Sequence, residues 1–184
     1  MILAVDQGNA IGWQDGRLPW KISRDMLRFK ALTTGSTVVM GRKTFESLGR
    51  PQGLPNRQNV VITTQKHDMT GNPLFFRDGK DPFRSFVQVH QACLGCEPAD
   101  LWVIGGGTLY DAAIEQSLVD EIYLTLVHTN SGADVQLKHD LAAWKLFVLR
   151  EQSRGNIWNV AEYEQHQVEG DVPAVTFITL KKQK

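Results

Sequence analysis

Three places in this sequence carry side chains whose types and spacing could do chemistry. The first is Leu18-Pro19-Trp20 followed by Asp25, with Met26 and Phe29 close behind. A carboxylate among apolar neighbours at a helix start has two readings. It supplies favourable charge to the helix N-terminus. Or it is a desolvated group that meets a ligand carrying adjacent N–H donors. The second place is Gly105-Gly106-Gly107-Thr108, directly after Leu101-Trp102-Val103-Ile104. A strand feeding glycines into a helix start lets backbone N–H groups approach phosphate oxygens, and the helix dipole adds attraction. A tight turn that happens to be glycine-rich is the other reading. The run is not G-x-G-x-x-G, which argues against a Rossmann dinucleotide site. The third place, Gly41-Arg42-Lys43-Thr44, repeats the arrangement after Val38-Val39-Met40. Two helix starts at the ends of two strands suit the two ends of a pyrophosphate, and the paired cations suit a further phosphate. A solvated basic helix start is the bland alternative.

These groups need a scaffold, and the apolar pattern supplies one. Residues 2–5, 37–40, 59–64, 101–104 and 121–127 read as strands. Three of them are continuous apolar runs, as expected for strands covered on both faces of a mostly parallel sheet. Residues 24–32 read as a helix with Ser23 as its N-cap, and 44–48, 83–93 and 108–115 read as further helices. The tail differs: 145–151, 157–164 and 175–181 look like strands in antiparallel series. The expected fold class is α/β, a mixed and mostly parallel central sheet flanked by helices, with antiparallel C-terminal strands. No repeat or long linker divides the chain, so one domain over 1–184 is expected.

Bulk properties narrow the field. Twenty basic residues balance twenty acidic ones over 184 residues, 42% of them hydrophobic. Nothing global therefore points to nucleic acid or an anionic membrane. The opening apolar run stops at Asp6, too short for a signal-peptide core, and no run approaches the roughly 18 residues of a membrane span. Cys93 and Cys96 cannot build a disulfide framework, so a reducing cytoplasm is expected. Their C-x-x-C spacing with His90 lacks further ligands, and inert thiols are favoured over a metal site.

Read in order, the motifs resemble the dihydrofolate reductase family. They run from Leu18-Pro19-Trp20…Asp25…Phe29-Lys30 through Val39-Met40-Gly41-Arg42-Lys43-Thr44-Phe45-Glu46-Ser47-Leu48-Gly49-Arg50-Pro51 to Leu54-Pro55-Asn56-Arg57. Val103-Ile104-Gly105-Gly106-Gly107…Tyr110 follows. The resemblance covers residues 1–130 well and thins beyond. It implies the dihydrofolate reductase fold and NADPH-dependent reduction of dihydrofolate to tetrahydrofolate. It also implies a cytoplasmic monomer serving one-carbon metabolism, and an antifolate target.

The resemblance further implies roles for individual residues. Asp25 would hold the pterin amino group and ring N–H and favour protonation of the adjacent imine nitrogen. Thr125 would orient that carboxylate, and Trp20 would hold an ordered water. Ile2, Ala4, Met26, Phe29, Leu48, Leu54, Ile104 and Tyr110 would line the substrate pocket, and Arg57 would clamp the glutamate α-carboxylate. For NADPH, Ala4 and Thr44 would serve the nicotinamide end, Arg42, Lys43, Thr63 and Thr64 the adenine end and its phosphate, and Ile11, Gly12 and Leu18 would also bind the cofactor. Gly41, Gly105, Gly106, Gly107, Thr108 and Leu109 would complete the cofactor site. Gly105–Gly106 would carry the family's cis non-proline bond.

Some stretches depart from the family pattern. Lys21-Ile22-Ser23 stands where a proline usually precedes the helix, and the 155–171 region is longer than usual. The 131–137 segment matches the family's distal loop only in part, so Asp134 as acidic partner of the loop before Trp20 stays open. Two other functions remain on the table. One is a reductase of a related pterin or pyrimidine on the same fold; the other is a non-catalytic domain that keeps it. The first would not need Asp25 and Arg57 together, and the second would be expected to have lost a site residue.

Overall fold

In chain order the elements are β1 (Ile2–Asp6), β2 (Ala10–Gly12), α1 (Ser23–Thr33), β3 (Thr37–Gly41), α2 (Arg42–Ser47), β4 (Gln58–Thr63), β5 (Leu74–Arg77), β6 (Leu101–Gly105), α3 (Gly107–Glu115), β7 (Glu121–Val127), β8 (Val135–Gln136), α4 (Trp144–Ser153), β9 (Trp158–His166) and β10 (Val175–Lys182). The computed structural model describes residues 1–63, 74–77, 101–167 and 172–183, with backbone alone at 74–77. Two compact units result, Met1–Met26 with Ser117–Lys184, and Leu27–Gln116.

The first unit is built on a four-stranded sheet in the order β1-β7-β10-β9. β1 runs parallel to β7, while β10 is antiparallel to both of its neighbours. Val5, Ile122, Leu124, Ile178 and Leu180 lose all solvent contact. Each such side chain contributes about 1.5–3 kcal/mol by leaving water. β9 is exposed along most of its length. Its pairing with β10 skips Ala161 at a bulge. With Glu162 and Glu164 on the strand, the bulge blunts an edge that would otherwise recruit another strand. A short antiparallel ribbon pairs β2 with β8.

The second unit is a fully parallel sheet in the order β5-β4-β3-β6. Val38, Val39, Met40, Val60 and Val61 are completely buried. Apolar side chains buried on both pleats are what a sheet covered on both faces requires. α2 and α3 start within two residues of the carboxyl ends of β3 and β6. The sequence motifs Gly41-Arg42-Lys43-Thr44 and Gly105-Gly106-Gly107 occupy those two junctions.

The tail corrects one expectation. Residues 145–151 are not a strand; they lie within the helix α4. Phe147 and Glu151, four apart, form its buried side, and Phe147 packs against Trp158 of β9 at 6.0 Å between ring centroids. Lys, Leu, Arg, Glu and Gln supply strong helix propensity, which prevails over the brief apolar run Leu146-Phe147-Val148-Leu149. The short strands β2, β5 and β8 were not anticipated. The helix expected at 83–93, His90, Cys93, Cys96 and Thr64 lie outside the described residues. Among the described residues no helix is long and apolar enough to cross a membrane.

Candidate active site

Asp25 sits in the first turn of α1, half-buried. Thr125 Oγ1 donates a hydrogen bond to Asp25 Oδ1 at 2.6 Å. Thr125 is buried on β7, where Ala4 of β1 and Phe177 of β10 are its register partners. Residues opposite one another in register share a sheet face. On that face Ala4, Trp20 and Val172 pack against the apolar cluster of Ile22, Val127, Val175 and Phe177. The structure therefore gathers Ala4, Trp20, Asp25 and Thr125. The indole Nε1–H of Trp20 is buried without a hydrogen-bond partner among the described residues. A buried N–H costs about 1–3 kcal/mol when nothing accepts from it, so this one suits a water or a ligand acceptor.

The chain before Trp20 is fastened at its base. Asp6 is fully buried and its carboxylate accepts from the backbone N–H of Gly8 and Ala10 at 2.8 and 2.9 Å. Its other oxygen accepts from the N–H and Oγ of Ser131 at 2.8 and 2.5 Å. Burial alone would raise the pKa of Asp6; the bonds from Ser131, Ala10 and Gly8 outweigh it and hold the carboxyl below its usual range. Asn9, at φ 61°, donates to the carbonyls of Leu137 and His139 and accepts from Leu141 and Ala142 N–H. Farther along, Gln14 N–H donates to Asp134 Oδ1 at 2.9 Å. The point left open by the sequence is thus answered: Asp134 does partner this loop. Ile11 and Gly12 lie on β2, and Leu18 is exposed. A Cβ at Gly12 would stand 3.1 Å from the Arg17 carbonyl, which closes the turn by accepting from Trp13 N–H. Ile2 is buried on β1, and Met26 is exposed on α1.

In the second unit Arg57 is braced on three sides. Its Nε donates to Thr33 Oγ1 at 2.8 Å, Nη1 to the Pro55 carbonyl at 2.7 Å and Nη2 to the Lys30 carbonyl at 3.4 Å. The guanidinium also lies 5.6 Å from the centroid of Phe29, within cation–π range. Burial lowers its pKa, yet a guanidinium stays charged at any physiological pH. Residues 49–57, Leu54 among them, line a cavity of about 360 Å³. Asn59 shapes its wall: Oδ1 accepts from Leu54 N–H, and Nδ2 donates to the carbonyls of Leu54 and Arg57. Gly53 must be glycine here, because at φ 71° a Cβ would stand 2.5 Å from the Asn59 side chain. Thr33 and Asn59 escaped the sequence reading. A buried asparagine inside an apolar strand was the available clue. Leu48, just before the cavity, is half-buried.

The two strand–helix junctions meet. A Cβ on Gly105 would lie 3.2 Å from Thr44 Oγ1, on Gly106 3.3 Å from it, and on Gly41 3.7 Å from the Gly106 nitrogen. The Gly105–Gly106 peptide is cis. Gly41 and Gly106 are the N-caps of α2 and α3, and neither helix has a side-chain cap. Backbone N–H groups at both starts therefore remain suited to anion oxygens. Around them Thr63, Leu109 and Tyr110 are buried, Ile104 and Gly107 half-buried, and Lys43 and Thr108 exposed. Arg42 Nε donates to Glu46 Oε1 at 2.5 Å.

Comparison with known proteins is decisive at this point. The family model for dihydrofolate reductase matches residues 1–169. The chain belongs to the dihydrofolate reductase family. It is 37% identical over 164 residues to dihydrofolate reductase of Bacillus subtilis, covering 89% of each chain. It is 32% identical over 185 residues to dihydrofolate reductase type 3 of Salmonella typhimurium, covering 100% of this chain and 98% of the relative. A solved dihydrofolate reductase from Enterococcus faecalis, complexed with NADP(H) and RAB-propyl, superposes with a TM-score of 0.72. At 24% identity, over 100% of this chain and 95% of that one, this likeness shows the fold. The fold is the expected one: a mixed, mostly parallel sheet with helices and antiparallel C-terminal strands. Oxidoreductase chemistry of the dihydrofolate reductase type follows from family membership.

Proposed function

We propose that the chain reduces dihydrofolate to tetrahydrofolate with NADPH, as a cytoplasmic monomer supplying one-carbon metabolism and open to antifolates. The observation that carries this reading is the Asp25 carboxylate held by Thr125 beside the buried N–H of Trp20. A fixed carboxylate accepts from two adjacent N–H donors, which a pterin offers through its exocyclic amino group and ring nitrogen. Its negative charge then favours a proton on the nearby imine nitrogen. Trp20 orients the water through which that proton passes. NADPH, when bound, supplies a hydride to the imine carbon, so the C=N bond becomes CH–NH.

Residues of the chain do the holding. Arg57, already braced, presents its remaining donors to the glutamate tail. Gly41 and Gly105–Gly106 let the backbone of two helix starts approach a pyrophosphate, with Thr44 between them. Arg42 and Lys43 provide positive charge for a further phosphate. The cofactor of the Enterococcus faecalis relative accords with that choice. The test is direct: purified protein mixed with NADPH and dihydrofolate should bleach the reduced-nicotinamide absorbance band. No bleaching, from protein shown to be folded, would rule the reading out.

A further inference from the structure

Arg42 is paired within its own helix. Side chains on a helix lean towards its N-terminus, and the carboxyl ends of β3 and β4 lie on that side of α2. Arg42 is nonetheless engaged within its own helix, its Nε donating to Glu46 Oε1 at 2.5 Å. Four residues of helix rise separate the two positions, about 6 Å. Lys43 beside it is exposed and makes no ion pair among the described residues. Of two adjacent cations, one is therefore held back by a carboxylate while the other is presented.

We propose that Glu46 is a specificity-determining residue, an internal competitor for the phosphate that distinguishes NADPH from NADH. The inference rests on the proposed cofactor reading. Glu46 occupies Arg42 in the free protein, and the phosphate must take the guanidinium from it. Arg42 and Glu46 are 39% and 52% exposed in their side chains, so the exchange is cheap; exposed pairs at this spacing contribute about 0.3–0.5 kcal/mol. The retained carboxylate also repels a dianionic phosphate. Both effects weaken NADPH and leave NADH, which lacks that phosphate, untouched.

The test is equilibrium binding of NADPH and NADH to wild type, Glu46→Gln, Arg42→Leu and the double variant, each checked for folding by circular dichroism. Glu46→Gln should tighten NADPH about two- to fivefold and leave NADH unchanged, and in the Arg42→Leu background the gain should shrink to the part that relief of repulsion alone supplies. Weaker NADPH binding in Glu46→Gln would make Glu46 a brace for Arg42 rather than its competitor. Equal shifts for both cofactors would make it a general helix determinant. Either overturns the proposal while leaving the cofactor reading intact. That reading fails separately, and takes the proposal with it, if Arg42→Leu leaves the NADPH-to-NADH ratio unchanged.

Discussion

The two units hold their candidate functional groups by different means. In the unit carrying Asp25, the decisive bonds join residues far apart in the chain: Thr125 to Asp25, Asp134 to Gln14 and Ser131 to Asp6. In the unit carrying Arg57, several span only a few residues, Arg57 to Pro55, Asn59 to Leu54 and Arg42 to Glu46, and the longest, from Arg57 to Thr33 and Lys30, span 24 and 27. A group held by distant strands depends on the whole sheet for its position. A group held by its own turn depends mainly on that turn. Substitutions in the first unit should therefore act on the chemistry or on global stability, and those in the second on binding, with little crossover.

The largest expected effect belongs to Asp25. Asp25→Asn keeps the shape and removes the charge that favours a protonated imine, so hydride transfer should slow about 10²–10⁴-fold at neutral pH. Single-turnover rates with ordinary and deuterated NADPH would measure it. Acid should partly restore the rate, because substrate protonated in solution needs less help. A wild-type rate and pH profile in the variant would reduce Asp25 to a helix-terminus carboxylate.

Arg57 tests the other side of the comparison. Arg57→Leu should weaken dihydrofolate binding by about 2–4 kcal/mol, because a substrate carboxylate loses its charged partner. The rate at saturating substrate should change far less, since the tail is remote from the reacting carbon. If a substrate lacking the glutamate tail suffers equally, Arg57 serves something else.

The same distinction explains what was legible beforehand. Gly41–Thr44, Gly105–Thr108 and Leu54–Arg57 are contiguous, so their geometry was written in local residue types. Asp25 stood out because its neighbours are apolar, but its bond to Thr125 came from the family resemblance rather than from any spacing. Asp6 looked like the end of a strand. Two of its four hydrogen bonds exist only once residue 131 is folded beside it, and no local pattern announces that. Asn9 braces 137–142 for the same reason and was equally hidden. The α4 segment failed differently: a four-residue apolar run fits strand or helix, and the helix propensity of its neighbours, with Phe147 and Glu151 buried four apart, decides between them.

Asp6 supplies the third prediction, a pH dependence. Its folded pKa lies below the unfolded value of about 3.9. The carboxylate therefore contributes stability that is present above the unfolded pKa and is lost as pH falls through the folded one. Asp6→Asn should cost about 1–3 kcal/mol at neutral pH, because an amide cannot accept all four bonds. The penalty should shrink at about pH 3, where the wild type is losing the same contribution. Urea unfolding at the two pH values would show it. A penalty that stays constant would mean that packing, not charge, is what Asp6 provides.

The smallest effect should come from Asp134, whose bond to Gln14 N–H is long-range but exposed. Exposure means that water replaces the lost acceptor, so global stability of Asp134→Ala should stay within about 0.5 kcal/mol of wild type. The amide itself should respond. A bond of this kind contributes about 0.5–1.5 kcal/mol, so hydrogen exchange at Gln14 should quicken about two- to tenfold. Exchange at Ala10, held by buried Asp6, should not change. Asp134→Asn keeps an acceptor oxygen and should restore most of the protection at Gln14. Faster exchange at both Gln14 and Ala10 would show that the loop and its base open as one unit. The exposed bond would then belong with the buried ones, and distance along the chain rather than burial would set what each is worth.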